Sequence, residues 1–134
     1  MKIGFIGLGN VGAKLAGSLL RNNFDLTVID IDKNITKNFA SRGAKISNSP
    51  KELAEEVDLI ITCLPSPLIC SEVMESKDGL IEGISKNKIW LEMSTTDESE
   101  IKRLSKLVKA KGAIPLDGPV SGGCHRAATG NIAI

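Results

Sequence analysis

The chain has 134 residues, of which 42% are hydrophobic and 25% charged, and its formal net charge is +1. This length and composition predict one globular domain with a real core and exclude an extensively disordered protein. The near-neutral charge without a dense basic cluster excludes a nucleic-acid partner, and the lack of any apolar run near about 18 residues excludes a membrane span.

A short apolar strand opens the chain and runs into a glycine-rich turn. Ile3, Phe5 and Ile6 are followed by the pattern Gly7-x-Gly9-x-x-Gly12, and a helical apolar pattern comes next. In such a turn the first glycine permits the sharp reversal, the second lets a pyrophosphate approach the backbone, and the third lets helix and strand pack closely. The free N–H groups at the helix start would then face the phosphates. The strand, turn and helix in this order predict a dinucleotide site, whereas a glycine triplet alone would equally suit an ordinary turn.

A second strand closes on a carboxylate at the spacing that this motif requires. Residues 25–30 read as a strand ending at Asp30, which lies 18 residues after Gly12. An acid there accepts hydrogen bonds from the adenosine ribose and repels a 2′-phosphate, and Ile31 is not the arginine that would bind one. The pattern therefore favours NAD over NADP. The alternative role for Asp30 is a helix cap, which Asp32 or Asn34 can fill instead.

The middle of the chain continues the alternation of helices and strands. A helix is predicted over about 33–42, a short strand over 44–46, and a brief helix after Ser49, which would cap it. Residues 57–64 form an unbroken apolar run, which is typical of a strand buried on both faces of a parallel sheet. This strand ends at Leu64-Pro65, at the edge where ligands bind in open α/β sheets, and Ser66 is expected to cap the following helix.

The last third adds two more strands around a long helix. Residues 88–93 predict the fifth strand, which delivers Ser94 and Thr95 to the same edge. Thr96 is expected to cap the helix, which should stop at Gly112. A sixth strand over 113–117 contains Pro115, which indicates an edge or irregular position. The sequence thus predicts a single domain over residues 1–134 with a Rossmann-type, doubly wound, mostly parallel α/β sheet.

With these elements placed, the chain resembles the N-terminal domain of the β-hydroxyacid dehydrogenases, the group of 3-hydroxyisobutyrate dehydrogenase and 6-phosphogluconate dehydrogenase. The motifs that carry the resemblance are residues 4–12 (GFIGLGNVG), 62–65 (TCLP), 93–95 (MST) and 117–123 (DGPVSGG). The last motif is the most specific because a generic dinucleotide fold gives no reason for it. Glu92 departs from the family's customary aspartate, and Ile69 stands where several members carry a cofactor-contacting asparagine.

The resemblance implies a set of site residues. Those implied to line the NAD site are Gly7, Leu8, Gly9, Asn10, Val11, Gly12, Asp30, Leu64, Pro65 and Thr95. Ser121, Gly122 and Gly123 are implied to hold a small hydroxy acid or semialdehyde beside the nicotinamide. The family's catalytic lysine belongs to a helical domain beyond these residues, which also forms the oligomer, so no catalytic residue is expected here.

The resemblance therefore implies the cofactor half of an NAD-dependent oxidoreductase that moves hydride between nicotinamide and a 3-hydroxy acid or semialdehyde. Two alternatives stay open: a non-catalytic dinucleotide-binding module, and a reductase of the same family that uses NADPH.

Other chemistry is weakly supported. Cys124 and His125 are adjacent, which rarely makes a productive pair, and no metal-ligand spacing is present. The acidic pairs at 55–56 and 98–100 are expected to be solvated or to complement helix dipoles. Three cysteines without paired spacing and the absence of a signal peptide predict reduced thiols and a cytoplasmic protein.

Overall fold

The computed structural model describes residues 1–134 and contains one parallel sheet of six strands in the order β3-β2-β1-β4-β5-β6. The strands are β1 (Lys2–Ile6), β2 (Asp25–Ile29), β3 (Lys45–Ile46), β4 (Leu59–Thr62), β5 (Ile89–Glu92) and β6 (Ile114–Asp117). The helices are α1 (Gly12–Arg21), α2 (Lys33–Ser41), α3 (Pro50–Glu56), α4 (Pro67–Glu75), α5 (Leu80–Gly83), α6 (Glu98–Ala110) and α7 (Gly123–Thr129). The predicted doubly wound Rossmann-type fold is confirmed, and every strand pair is parallel.

Helices cover both faces of the sheet, which explains the unbroken apolar runs in its central strands. One face packs against α1, α2 and α7, and Phe5 is buried there. The other face packs against α3, α4, α5 and α6, and Trp90 is buried there. Because successive strand residues point to opposite faces, Ile60 and Ile61 each enter a different core. A polar side chain in a strand that is covered on both faces is therefore tolerated only where another group hydrogen-bonds to it.

Two of the three predicted helix caps at Ser49, Ser66 and Thr96 are confirmed. Ser49 Oγ accepts a hydrogen bond from the Glu52 amide at 3.1 Å, and Ser66 Oγ accepts one from the Ile69 amide at 3.3 Å. The prediction for Thr96 was wrong, because α6 begins one residue later with Asp97 as a cap residue that makes no side-chain capping bond. The Thr96 hydroxyl donates to the Asp97 carbonyl instead.

The short helix α5 was not predicted, since four residues are too few to show a helical period. Its last residue, Gly83, lies against the backbone of α3, where a Cβ atom would come within 2.2 Å of the Lys51 carbonyl oxygen. Pro115 lies in β6, which is an edge strand as predicted. None of the helices has the length and apolar character that crossing a bilayer would require.

Candidate functional site

A cavity of about 770 Å³ runs along the carboxyl edge of the sheet, past the ends of the strands. Parallel strands bring their carboxyl ends to one edge, so segments far apart in the sequence meet there. Leu8 is the one residue of the predicted cofactor set that does not line this cavity. The predicted residues that line it are Gly7, Gly9, Asn10, Val11, Gly12, Asp30, Leu64, Pro65 and Thr95.

The three glycines of the turn differ in what surrounds them. Gly7 has a φ of +95°, and a Cβ there would lie 2.3 Å from the Cys63 carbonyl oxygen. A Cβ on Gly12 would lie 2.0 Å from the Gly7 carbonyl oxygen, whereas a Cβ on Gly9 would meet no atom within 4 Å. Gly7 and Gly12 are therefore required by the fold of the turn itself. Gly9 faces open space, so its lack of a side chain keeps the cavity accessible.

Helix α1 begins with amide groups that have no partner in the protein. Val11 precedes the helix and provides no side-chain cap, and the first turn contains no acidic residue. The amides of Gly9, Val11 and Gly12 donate to no backbone carbonyl. Unpaired amides at the positive end of a helix form an anion site, and backbone groups without a bulky side chain can approach the anion closely.

Asp30 connects the end of β2 to the glycine turn. Its Oδ2 accepts a hydrogen bond from the Leu8 amide at 2.6 Å, and its Oδ1 accepts one from the Asp32 amide at 2.8 Å. Each carboxylate oxygen has two lone pairs, so both can accept a further hydrogen bond. Asp32 caps α2 by accepting from the Asn34 amide at 2.9 Å, which leaves Asp30 free of that role. Leu8 contributes its amide to this link while its side chain is buried in the core.

At the end of the cavity near β2 and β3, the structure adds residues that the predicted cofactor set does not contain. Ile31 is 98% exposed and lines the cavity next to Asp30. Lys33, Asn48 and Pro50 line it as well. Asn48 and Pro50 follow the carboxyl end of β3, so the strand-end rule that selected Leu64 and Pro65 could have found them. Lys33 had no such signal, because it belongs to the first turn of α2.

At the other end of the cavity, the segments after β4 and β5 are joined by a hydrogen bond. The Leu64 amide donates to Ser94 Oγ at 2.6 Å, and both residues line the cavity. Cys63 lines it too, and burial, with a smaller effect of the Glu92 charge, raises the pKa of its thiol to about 11. Since the thiolate is the nucleophile, Cys63 is a neutral wall residue near neutral pH and not a reactive one.

The predicted substrate residues lie outside this cavity. Ser121, Gly122 and Gly123 are exposed, and the neighbouring Val120 is the residue of that loop that lines the cavity. Ser121 is held by antiparallel backbone hydrogen bonds with Ala133, at 2.9 and 3.1 Å. The structure thus places the loop after β6 beside the cofactor residues without bringing its polar groups among them.

The structure shows neither a metal-binding cluster nor a disulfide bond. No group of three or more His, Cys, Asp or Glu side chains is arranged to hold a metal ion. The three cysteines are free. The cavity therefore offers backbone amides, a carboxylate, hydroxyls and apolar surface, which suit an anionic organic ligand.

Comparison with known proteins gives a consistent result along almost the whole chain. Residues 2–134 match the model for the NAD binding domain of 6-phosphogluconate dehydrogenase. Mitochondrial 3-hydroxyisobutyrate dehydrogenase of Mus musculus is 38% identical over 130 residues, which are 97% of this chain and 39% of that protein. The chain thus spans about two fifths of that relative's length.

Solved structures agree on the fold. Mycobacterium tuberculosis 3-hydroxyisobutyrate dehydrogenase with L-serine matches with a TM-score of 0.86 at 26% identity, covering 98% of this chain and 46% of that one. Reductive aminase from Aspergillus terreus in complex with NADPH and ethyl levulinate matches with a TM-score of 0.82 at 21% identity, covering 93% and 42%. The second likeness is one of fold alone.

Proposed function

This chain belongs to the family of NAD-binding domains of 6-phosphogluconate dehydrogenase, and from that premise we propose that it binds NAD as the cofactor half of an oxidoreductase. Family membership confirms the resemblance drawn from the motifs and makes the chain an NAD(P)-binding domain. The observation that carries the proposal is the cavity in which unpaired amides of the glycine turn lie beside the Asp30 carboxylate.

The residues of the cavity fit a dinucleotide. The amides of Gly9, Val11 and Gly12 would bind the pyrophosphate, and the open space at Gly9 would let it approach. The free lone pairs of Asp30 would accept hydrogen bonds from the adenosine ribose. Leu64, Pro65 and Thr95 would form the wall around the nicotinamide, at the end of the cavity farthest from β2. When bound, the cofactor supplies a carbon that accepts or donates hydride.

Asp30 favours NAD because its charge repels the 2′-phosphate of NADP. Ile31 extends into solvent beside it and offers no charge to offset that repulsion. One observation supports NADPH as the second candidate: Lys33 lines the same end of the cavity and carries a cation that could pair with a phosphate. The choice of cofactor therefore depends on whether Asp30 or Lys33 dominates there.

The proposed substrate is a small 3-hydroxy acid or semialdehyde, by analogy with the relatives named above. Ser121, Gly122 and Gly123 would hold its carboxylate or hydroxyl through an O–H group and backbone amides. Their exposed position beside Val120 supports this role, because a substrate must approach the nicotinamide from outside the cofactor cavity. The proton of the hydroxyl would be handled by a lysine outside these 134 residues, so we expect no turnover by this chain alone.

The first test is thermal unfolding of the 134-residue chain with NADH and, separately, with NADPH. A ligand that binds only the folded state stabilises it by about 2.7 kcal/mol when its concentration is 100 times Kd. We expect a clear rise in Tm with NADH and a smaller one with NADPH at equal concentration. A larger rise with NADPH would overturn the role of Asp30, and no rise with either would contradict the proposal as a whole.

The second test separates Asp30 from the general charge of this region. Asp30→Asn removes the charge that opposes a 2′-phosphate and should lower the NADPH to NADH ratio of Kd values by about tenfold, which corresponds to about 1.4 kcal/mol. Asp32→Asn is the matched control, since it removes the same charge two residues away and keeps a capping side chain at α2. An equal change of the ratio in both variants would contradict the direct contact.

A further inference from the structure

Glu92, the last residue of β5, is a carboxylate that is completely buried in the protein. Its Oε2 accepts hydrogen bonds from the Thr62 hydroxyl at 2.7 Å and from the Cys70 thiol at 3.0 Å. Its Oε1 accepts one from the Ser94 amide at 2.6 Å. No lysine, arginine or histidine contacts it, so these hydrogen bonds are its polar contacts. Burying a carboxyl group without a cation beside it is costly, so its position calls for an explanation.

Two hydrogen bonds of the network around Glu92 have a direction fixed by chemistry, those donated by the Trp90 indole and by the Ser94 amide. The Trp90 indole can only donate, and it donates to Thr62 Oγ1 at 2.9 Å. The Thr62 hydroxyl, which accepts this bond, donates in turn to Glu92 Oε2. The Ser94 amide is also a donor only, so Glu92 Oε1 must accept from it. A carboxyl group can accept at both of its oxygens, whereas an amide accepts at one end and must donate at the other.

The network ends at the wall of the cofactor cavity. Glu92 holds the Ser94 backbone, and Ser94 Oγ in turn accepts the Leu64 amide at 2.6 Å. Ser94 follows β5 and Leu64 follows β4, and both residues line the cavity. Glu92 thus holds in place the segments that follow β4 and β5, and these segments form the end of the cavity farthest from β2.

We propose that Glu92 is a positioning residue for cofactor binding, which acts through Ser94 to hold the Leu64 and Ser94 walls at the spacing that the nicotinamide end of the dinucleotide requires. This inference rests on the proposed function of the cavity. A positioning role explains why a carboxyl group is kept at the end of β5, where apolar side chains fill the neighbouring positions. The field of Glu92 also reaches the cavity, since it contributes to the raised pKa of the wall residue Cys63.

The test is a double-mutant cycle on the 134-residue chain, read by NADH affinity. Glu92→Gln keeps the size of the side chain, but its NH2 group must face either the Ser94 amide or the Thr62 hydroxyl and Cys70 thiol, so at least one hydrogen bond of the network is lost or reversed. Ser94→Ala removes the acceptor of the Leu64 amide without touching Glu92. We expect each variant to raise the Kd for NADH by about tenfold, and the double variant to raise it little further, because both changes break the same link.

Two controls separate positioning from loss of stability. Val57→Ala makes a cavity in the buried core near the opposite end of β4, so it should lower Tm while leaving the Kd for NADH unchanged. Trp90 is the single tryptophan of the chain and donates into the network, so its emission reports the network directly. We expect Glu92→Gln to shift this emission and Val57→Ala not to shift it.

The outcomes are distinct for the two proposals. If the unmodified chain binds no NADH, the function proposed for the cavity is wrong. If it binds NADH and Glu92→Gln binds equally well, or if the effects of Glu92→Gln and Ser94→Ala multiply in the double variant, the positioning role is wrong. If Glu92→Gln does not fold, Ser94→Ala still decides, because an unchanged Kd there would show that the Leu64–Ser94 link does not serve binding.

Discussion

Substitution by alanine should affect two glycines of the turn differently: Gly12→Ala should lower stability, and Gly9→Ala should weaken cofactor binding. Gly12→Ala would place a Cβ 2.0 Å from the Gly7 carbonyl oxygen, short of ordinary contact by about 1.4 Å. The oxygen cannot simply retreat, because Gly7 donates its amide to the Ile29 carbonyl at 3.2 Å and lies against Cys63. The turn must therefore open, or the start of α1 must move away from β1.

The size of the effect follows from two opposing contributions. Overpacking a tight site costs about 1–3 kcal/mol. The higher helix propensity of alanine offsets at most about 1 kcal/mol of this, and less at the first residue of a helix. We expect Gly12→Ala to lower the free energy of unfolding by about 2 kcal/mol, which for a domain of this size lowers Tm by about 8 °C.

Gly9→Ala is the matched control, because its Cβ would meet no atom within 4 Å. Its stability should lie within about 0.5 kcal/mol of the unmodified chain. If a pyrophosphate lies against Gly9, however, the added methyl group should raise the Kd for NADH by at least about tenfold. Gly12→Ala would lose stability, whereas Gly9→Ala would lose binding.

Urea unfolding followed by Trp90 emission and by circular dichroism would give both stabilities, and a fluorescence titration would give both affinities. A Gly12→Ala variant as stable as the unmodified chain would refute the steric argument, since no flexible side chain is available to absorb the clash. A Gly9→Ala variant with unchanged affinity for NADH would remove the pyrophosphate from this glycine.

Three further predictions concern other parts of the molecule. Arg103 binds Glu100 and Glu75 and lowers the pKa of both carboxyl groups, that of Glu100 to about 2. The stability that these ion pairs contribute is therefore present above pH 4.5 and is lost as the pH falls toward 2. Arg103→Ala should thus lower Tm modestly at pH 7 and flatten its dependence on pH between 2 and 4.5, and an unchanged pH profile would contradict the pairing. The pKa of the Cys63 thiol is raised to about 11 from an ordinary 9.0, so this thiol should react with a thiol reagent at pH 8 about a hundredfold more slowly than a free thiol. The labelling of Cys63 is identified as the signal that the Cys63→Ser variant lacks, and rapid labelling would contradict the buried state of the thiol. Ser66→Ala removes the cap of α4 and should lower the free energy of unfolding by about 1 kcal/mol in urea, whereas a smaller change would mean that Pro67 alone sets the helix start.

The parts of the fold that follow from short-range patterns were predictable. The glycine turn lies between a strand and a helix, Asp30 closes the next strand, and the apolar run before Leu64 reads as a doubly covered strand. Each of these features depends on residues within one turn or one strand. The strand order then follows from the right-handed connections of parallel sheets, which leave few arrangements open.

Features that depend on distant partners were not predictable. Glu100 was expected to be a solvated or dipole-complementing charge, yet it accepts hydrogen bonds from Ser71 at 2.8 Å and from Arg103 at 2.7 Å, which connects α6 to α4. Ser71 lies 29 residues before it, and no local pattern indicates that pairing. Glu92 is a similar case: the sequence shows only an acid at the end of a strand, and its donors come from three separate elements.

The same limit applies to the candidate site. The residue types and the strand ends indicated the glycine turn, Asp30 and the wall at Leu64, Pro65 and Thr95, because those positions follow from topology. Topology does not say which way a side chain points. The family resemblance assigned Leu8 to the cofactor together with its neighbours, and in the structure its side chain lies in the core while its amide donates to Asp30.

The position of Pro115 in β6 has a consequence for how copies of this chain meet one another. The amides of Ile114 and Gly118 donate inward to the carbonyls of Lys88 and Glu92, at 2.8 Å each, so the backbone groups of residues 115 and 117 face the free edge of the sheet. Proline has no N–H, so Asp117 is left as the outward donor, beside its own negative charge. A strand from a second molecule would meet an incomplete and charged set of hydrogen-bonding groups, which protects this edge of the sheet from edge-to-edge aggregation.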